Sequence, residues 1–147
     1  MNSSKTCNQP QVLLVDDECQ QLELRAFRLG TAGYSVFTAT GPLEALSLAG
    51  KIADLEIAIL DYEMPIMNGC VLAQHLKSKF PNLRTVLYSG AVAIPSHDLE
   101  AVDTFISKSD GIPVLLHHLS SLSAGVRAID TGMMSPLSTI IQSHRPE

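Results

Sequence analysis

The sequence has no basic surplus: 10 lysines and arginines stand against 15 aspartates and glutamates, a net charge of -5. A chain of that balance offers no broad positive field for a nucleic acid backbone, so no direct nucleic acid binding is expected. No stretch approaches the roughly 18 consecutive apolar residues of a membrane span, and the opening MNSSKTCNQP has no apolar core of a secretory signal. Cysteine is scarce: Cys7, Cys19 and Cys70 are odd in number and form no CxxC pair, which argues for reduced thiols and against a disulfide framework. The expectation is a soluble, cytoplasmic protein without membrane contact. The chain also lacks a glycine-rich phosphate loop of the Walker or dinucleotide type, which counts against turnover of an external substrate.

What is present is one ordinary domain's worth of chain, 147 residues that are 46% apolar and 17% charged. Apolar runs of strand length alternate with segments of helical period five times, the pattern of βα units around a parallel sheet. Strands are expected at QVLLV (11–15), YSVFTA (34–39), LEIAIL (55–60), RTVLY (84–88) and DTFIS (103–107). The first helix carries Leu22, Ala26 and Leu29 and stops near Gly33; the second opens at Gly41 and Pro42; the third runs from about Gly69, with Leu72, Leu76 and Phe80 on one face, to Pro81. Residues 90–102 hold at most a short helix, and a last helix starts around Pro113 with Leu115, Leu119 and Leu122 aligned. From about Ser123 no period is sustained, so residues 123–147, including Met133 and Met134, read as a tail without a recognisable output domain.

In an open α/β sheet ligands bind outside the carboxyl ends of the strands, so the residues at which the strands stop are informative. The first strand stops at Asp16, Asp17 and Glu18, the third at Asp61, the fourth at Ser89 and Gly90, and the fifth at Ser107 and Lys108. Taken alone, Asp17 or Glu18 reads as the favoured start of a helix. Taken together, carboxylates converging on one edge repel and raise one another's pKa unless a cation neutralises them. All-oxygen ligands without His or Cys point to Mg²⁺, which completes its octahedron with water and phosphate oxygens. A lysine and a hydroxyl beside it assist phosphoryl transfer by positioning and charge neutralisation, and a carboxylate can take the phosphoryl group covalently.

With LLVDDE, LDYEMPIMNG, LYSGA and FISK in this order, the chain resembles a response-regulator receiver domain of two-component signalling over about residues 10–122. The resemblance implies a doubly wound, flavodoxin-like α/β fold with five parallel strands in the order 2-1-3-4-5. It implies that Asp61 is the phosphorylated residue and that Mg²⁺ is held by Asp17 directly, by Asp16 mainly through water, by Asp61, and by the main-chain carbonyl of Glu63. It implies that Lys108 and Ser89 contact the phosphoryl group and that Ser89 and Phe105 form the switch. The implied partners are a sensor histidine kinase or histidine phosphotransfer protein and a downstream protein, with the chain a monomer or weak homodimer and not an enzyme.

Two positions depart from the family pattern. Ser109 stands where the family commonly has a proline joined through a cis bond, and the stretch between Ser89 and Lys108 is about one helical turn shorter than usual. These departures keep a second reading open, a pseudo-receiver that binds partners without using its aspartate. A third, a phosphatase of the haloacid dehalogenase type, requires a second catalytic acid two residues after the nucleophile; Glu63 stands there, longer than that motif's aspartate and without its following hydroxyl.

Overall fold

Two of the expected strands, Gln11–Val15 (β1) and Leu55–Leu60 (β3), form as read, because their continuous apolar stretches, 12–15 and 57–60, are stable only with both faces covered. The computed structural model describes residues 9–91 and 93–131; Cys7, Met133 and Met134 lie outside the described residues. Around β1 and β3 stand Ser35–Ala39 (β2), Arg84–Ser89 (β4) and Thr104–Ser107 (β5), all parallel, in the order β2-β1-β3-β4-β5. The helices are Cys19–Thr31 (α1), Pro42–Ala49 (α2), Gly69–Lys79 (α3) and Gly111–Thr131 (α4).

Alternation along the strands divides the core into two layers. Leu13, Val15, Ala58, Leu60 and Leu87 face α2 and α3, meeting Ala45, Leu72, Ala73 and Leu76. Val12, Leu14, Ile57, Ile59, Val86 and Ile106 face α1 and α4, meeting Leu22, Leu29, Leu115 and Leu119. The two central strands hold their end residues firmly: Asp16 N–H donates to Ala39 at 3.2 Å and Asp61 N–H donates to Val15 at 3.1 Å. The first residues past β1 and β3 are thus still tied into the sheet.

Several boundaries differ from the sequence expectation. Asp103 does not begin β5; its carboxylate turns back to accept the Thr85 N–H at 2.8 Å, and pairing starts one residue later at Thr104. The segment before β5 is a 3-10 turn, Ser96–Ala101, with no fully buried residue. It is held by the Thr85 hydroxyl on the Ala101 carbonyl at 2.7 Å and by the Tyr62 hydroxyl on Asp98 at 3.1 Å. Phe80 caps α3 and does not continue it.

The last helix is longer at both ends than expected. It starts at Gly111, whose φ of +87° glycine adopts freely after the 3-10 turn Lys108–Asp110. Pro113 therefore falls within the first turn, where the missing N–H has no partner to lose. The helix then continues to Thr131, so residues 123–131, expected as tail, are helical. No described peptide bond is cis, so the Lys108–Ser109 bond is trans. Among the described residues no helix is long and apolar enough to cross a membrane.

Candidate functional site

Asp16, immediately past β1, is 1% exposed, and both of its oxygens are engaged. One accepts the Glu18 N–H at 2.9 Å; the other lies 2.6 Å from Arg25 Nη1 and 3.0 Å from Lys108 Nζ. Burial pushes the Asp16 carboxyl up, but the Glu18 N–H, Lys108 and Arg25 together outweigh it and hold the group below the ordinary carboxylate range. Asp61, past β3, is 7% exposed, with Lys108 Nζ at 3.5 Å. Burial pushes this carboxyl up, the Lys108 charge opposes, the Asp16 charge adds, and the balance leaves it raised.

Asp17 is exposed and completes the group: Asp16, Asp17 and Asp61 each offer one oxygen, all within 4.8 Å of one another. The acidic run also marks the helix start, as the sequence suggested, though without a side-chain cap bond from Glu18. Glu18 occupies the N-cap of α1, and the Asp16 side chain binds the Glu18 N–H. Three hard oxygen donors, with no His or Cys among them, fit a divalent cation of the Mg²⁺ type.

Ser89 ends β4 at 1% exposure, its hydroxyl accepting the Ala91 N–H at 3.2 Å. It also favours the charged form of Asp61. Lys108 reaches the pocket with its bond to Ser109 trans, and the Ser107 hydroxyl accepts the Ser109 N–H at 3.2 Å just past it. Glu63 is exposed in the loop after Asp61, and Phe105 on β5 is 41% exposed, outside the core. The structure therefore brings Asp16, Asp17, Asp61, Ser89 and Lys108 to one edge and leaves Phe105 outward.

Arg25 escaped the sequence reading, and the packing role of Gly69, read there only as a motif glycine and helix start, escaped it too. Arg25 is 8% exposed, paired with Asp16, and its guanidinium carbon lies 5.3 Å from the Tyr88 ring centroid. The available signal was position: residue 25 shares the buried stripe with Leu22 and Leu29, whereas Ala26, the expected member, is only partly buried. A Cβ at Gly69 would collide with the Asp61 carbonyl and meet the Asp61 carbonyl carbon and Leu87 Cδ1, both at 2.9 Å. The start of α3, capped by Asn68 accepting the Cys70 and Val71 N–H groups at 2.9 Å, thus packs on the main chain of Asp61.

Gly69→Ala is accordingly expected to destabilise the fold by about 1–3 kcal/mol, the usual cost of overpacking, because the obstacle is backbone. It should also displace Asp61. Urea unfolding reads the first effect; an unchanged midpoint would show that the loop gives way freely.

A family model described as the response regulator receiver domain matches residues 12–120. The cell cycle transcriptional regulator CtrA of Caulobacter vibrioides is 26% identical over 118 residues, covering 80% of this chain and 49% of that one. The sensor kinase CckA of Brucella abortus is 32% identical over 81 residues, 54% of this chain and 8% of that one. The chain thus spans about half the length of the first relative and much less of the second. Among solved structures, the response regulator TrrA of Thermotoga maritima, crystallised with Mg²⁺ and BeF, is 28% identical with a TM-score of 0.72, over 78% of this chain and 99% of that one. TrrA in complex with the histidine kinase ThkA gives 27% and 0.70, over 78% and 98%. A CheY-like receiver domain from Methanospirillum hungatei, 24% identical with a TM-score of 0.73 over 78% and 93%, shares the fold.

Proposed function

Because the chain belongs to the response regulator receiver domain family, we propose that it is a working phosphoacceptor, phosphorylated on Asp61 in a Mg²⁺-dependent reaction and signalling through a protein surface. The observation that carries this is the convergence of Asp16, Asp17 and Asp61 on one pocket that Lys108 also enters. The donor is a histidine kinase or a histidine phosphotransfer protein. A complex of that kind is known for the similar TrrA with the kinase ThkA.

Asp16, Asp17, Asp61 and the main-chain carbonyl of Glu63 would hold the metal ion. Bound there, Mg²⁺ would neutralise the carboxylates and the oxygens of an incoming phosphoryl group. An Asp61 carboxylate oxygen attacks the phosphorus of a phosphohistidine. The new O–P bond forms as the P–N bond breaks, and the electron pair leaves on the imidazole nitrogen. Lys108, shared between Asp16 and Asp61 in this structure, turns its ammonium to a phosphoryl oxygen, and the Ser89 hydroxyl donates to another. Removing Ser89 from its bond to the Ala91 N–H frees the following loop, and Phe105 turns inward beside it. The output is a changed surface for a downstream protein, in the cytoplasm, with the chain a monomer or weak homodimer.

The test is intact-mass analysis after incubation with acetyl phosphate, with and without Mg²⁺, together with binding of beryllofluoride. One phosphoryl group is expected on the wild-type chain, only with Mg²⁺, and none on Asp61→Asn. One observation favours the alternative pseudo-receiver: Arg25 and Lys108 already neutralise Asp16. A folded protein that neither labels nor binds beryllofluoride at millimolar Mg²⁺ would establish that alternative.

A further inference from the structure

We propose that Arg25 is a built-in counter-cation of the acidic pocket, a positioning residue that holds Asp16 and lowers the pocket's affinity for Mg²⁺. The inference rests on the phosphoacceptor reading above and concerns how readily its metal binds.

A surface arginine on a helix ordinarily lays its stem over apolar side chains and leaves its head in water. Arg25 does the opposite. Its side chain is 10% exposed, its Nη1 is 2.6 Å from Asp16 Oδ2, and its guanidinium carbon is 5.3 Å from the Tyr88 ring centroid. Nη2 reaches Gln21 Oε1 at 3.5 Å. An ion pair, an aromatic face and a side-chain amide hold the head from three sides, so little freedom remains to it.

Lys108 is the pocket's other cation and behaves differently. Its side chain is 23% exposed and divides itself between Asp16 at 3.0 Å and Asp61 at 3.5 Å. A flexible ammonium so placed can leave Asp16 for another anion. Of the pocket's carboxylates, Arg25 pairs with Asp16 alone. The three carboxylates therefore meet an entering dication already partly neutralised by a fixed positive charge.

Two effects oppose each other. Holding Asp16 in place favours metal binding, while the guanidinium charge repels the ion. The charge wins, because the Glu18 N–H on Oδ1 at 2.9 Å fixes the Asp16 carboxylate independently of Arg25. Loss of one unit charge near a dication at partial burial corresponds to about tenfold in affinity.

Isothermal titration of the full chain with MgCl₂ at low ionic strength, without phosphodonor, tests this on the wild type, Arg25→Gln and Arg25→Lys. Arg25→Gln is expected to bind Mg²⁺ about tenfold tighter. Arg25→Lys, which keeps the charge and loses the planar fork, should remain within about threefold of the wild type. Folded Arg25→Gln binding Mg²⁺ no better than the wild type overturns the proposal, as does Arg25→Lys matching Arg25→Gln. Should Arg25→Gln fail to fold, the guanidinium NMR resonance of Arg25 in the wild type decides. A shift that saturates with Mg²⁺ supports the proposal, and an invariant signal overturns it. A wild type that binds no Mg²⁺ at all would instead bring down the phosphoacceptor reading itself, a result distinct from these.

Discussion

Asp16→Ala is expected to destabilise the protein by about 3–5 kcal/mol, the usual cost of removing one partner of a buried ion pair. The side chains of Arg25 and Asp16 are 10% and 2% exposed, so truncation leaves a desolvated guanidinium with no counter-charge. Lys108 can move to Asp61, but among the described residues Arg25 pairs with no second carboxylate. The pair of Lys77 with Asp103, at 27% and 33% exposure, gives the contrast: breaking it should cost less than about 1 kcal/mol. Urea unfolding measures both. Adding Arg25→Met to Asp16→Ala should recover much of the loss, since the pair is then replaced and not broken. A loss under about 1 kcal/mol for Asp16→Ala alone would mean that water reaches Arg25 and that the pair is a surface one.

The Asp16 carboxylate also sets a pH dependence, through the Glu18 N–H first, then Lys108, and last Arg25. Asp16 is held below its ordinary value of 3.8, so the native state binds its proton less readily than the unfolded chain does. Its stabilisation is present above pH 3.8 and disappears as pH falls below that through the folded value. Acid unfolding followed by circular dichroism should show this loss in the wild type and not in Asp16→Ala/Arg25→Met.

Residues legible in the sequence were those whose local pattern had one physical solution. QVLLV and LEIAIL could only be strands covered on both sides, and an aspartate after each could only lie at the sheet's carboxyl edge. Asp16, Asp17 and Asp61 followed from that, Ser89 and Lys108 from the stops of the fourth and fifth strands, and the structure brings their side chains to the same pocket. Their chemical roles remain those proposed above. Arg25 was hidden because a charged residue inside an apolar stripe reads as an exposed neighbour until its partner, nine residues earlier in the chain, is placed beside it. Gly69 was visible as a motif glycine, while its contact with the Asp61 carbonyl depends on the crossing of a loop and a strand that spacing does not encode. Asp103 was misassigned for a related reason: its carboxylate serves β4 across the sheet, and no local pattern separates that from a first strand residue. The last helix was cut short because glycine and the lack of apolar period after Ser123 weigh against helix in isolation. The backbone nonetheless continues to Thr131.

Asp61→Asn is expected to abolish Mg²⁺-dependent phosphorylation and, in the same protein, to raise stability at neutral pH. The two neighbouring carboxylates have opposite energetics. Burial and the charge of Asp16 outweigh the help of Lys108 and leave the Asp61 carboxyl raised above 3.8, so folding is opposed by its ionised form. A raised carboxyl binds its proton more readily in the native state than in the unfolded chain. The penalty is therefore absent below pH 3.8, grows as pH rises from there through the folded value, and persists at neutral pH. Asparagine has nearly the same shape and no charge to desolvate, so the variant should be more stable than the wild type at pH 7 and no more stable in strong acid. Metal should reverse the ranking. Mg²⁺ bound to the native wild type stabilises it in proportion to the logarithm of its concentration. The variant, with one carboxylate fewer, gains less, so the two unfolding midpoints should converge and cross as Mg²⁺ rises. A destabilised Asp61→Asn in metal-free buffer would mean instead that Asp61 is chiefly the partner of Lys108, a structural ion pair and not a charge stored for an incoming phosphoryl group.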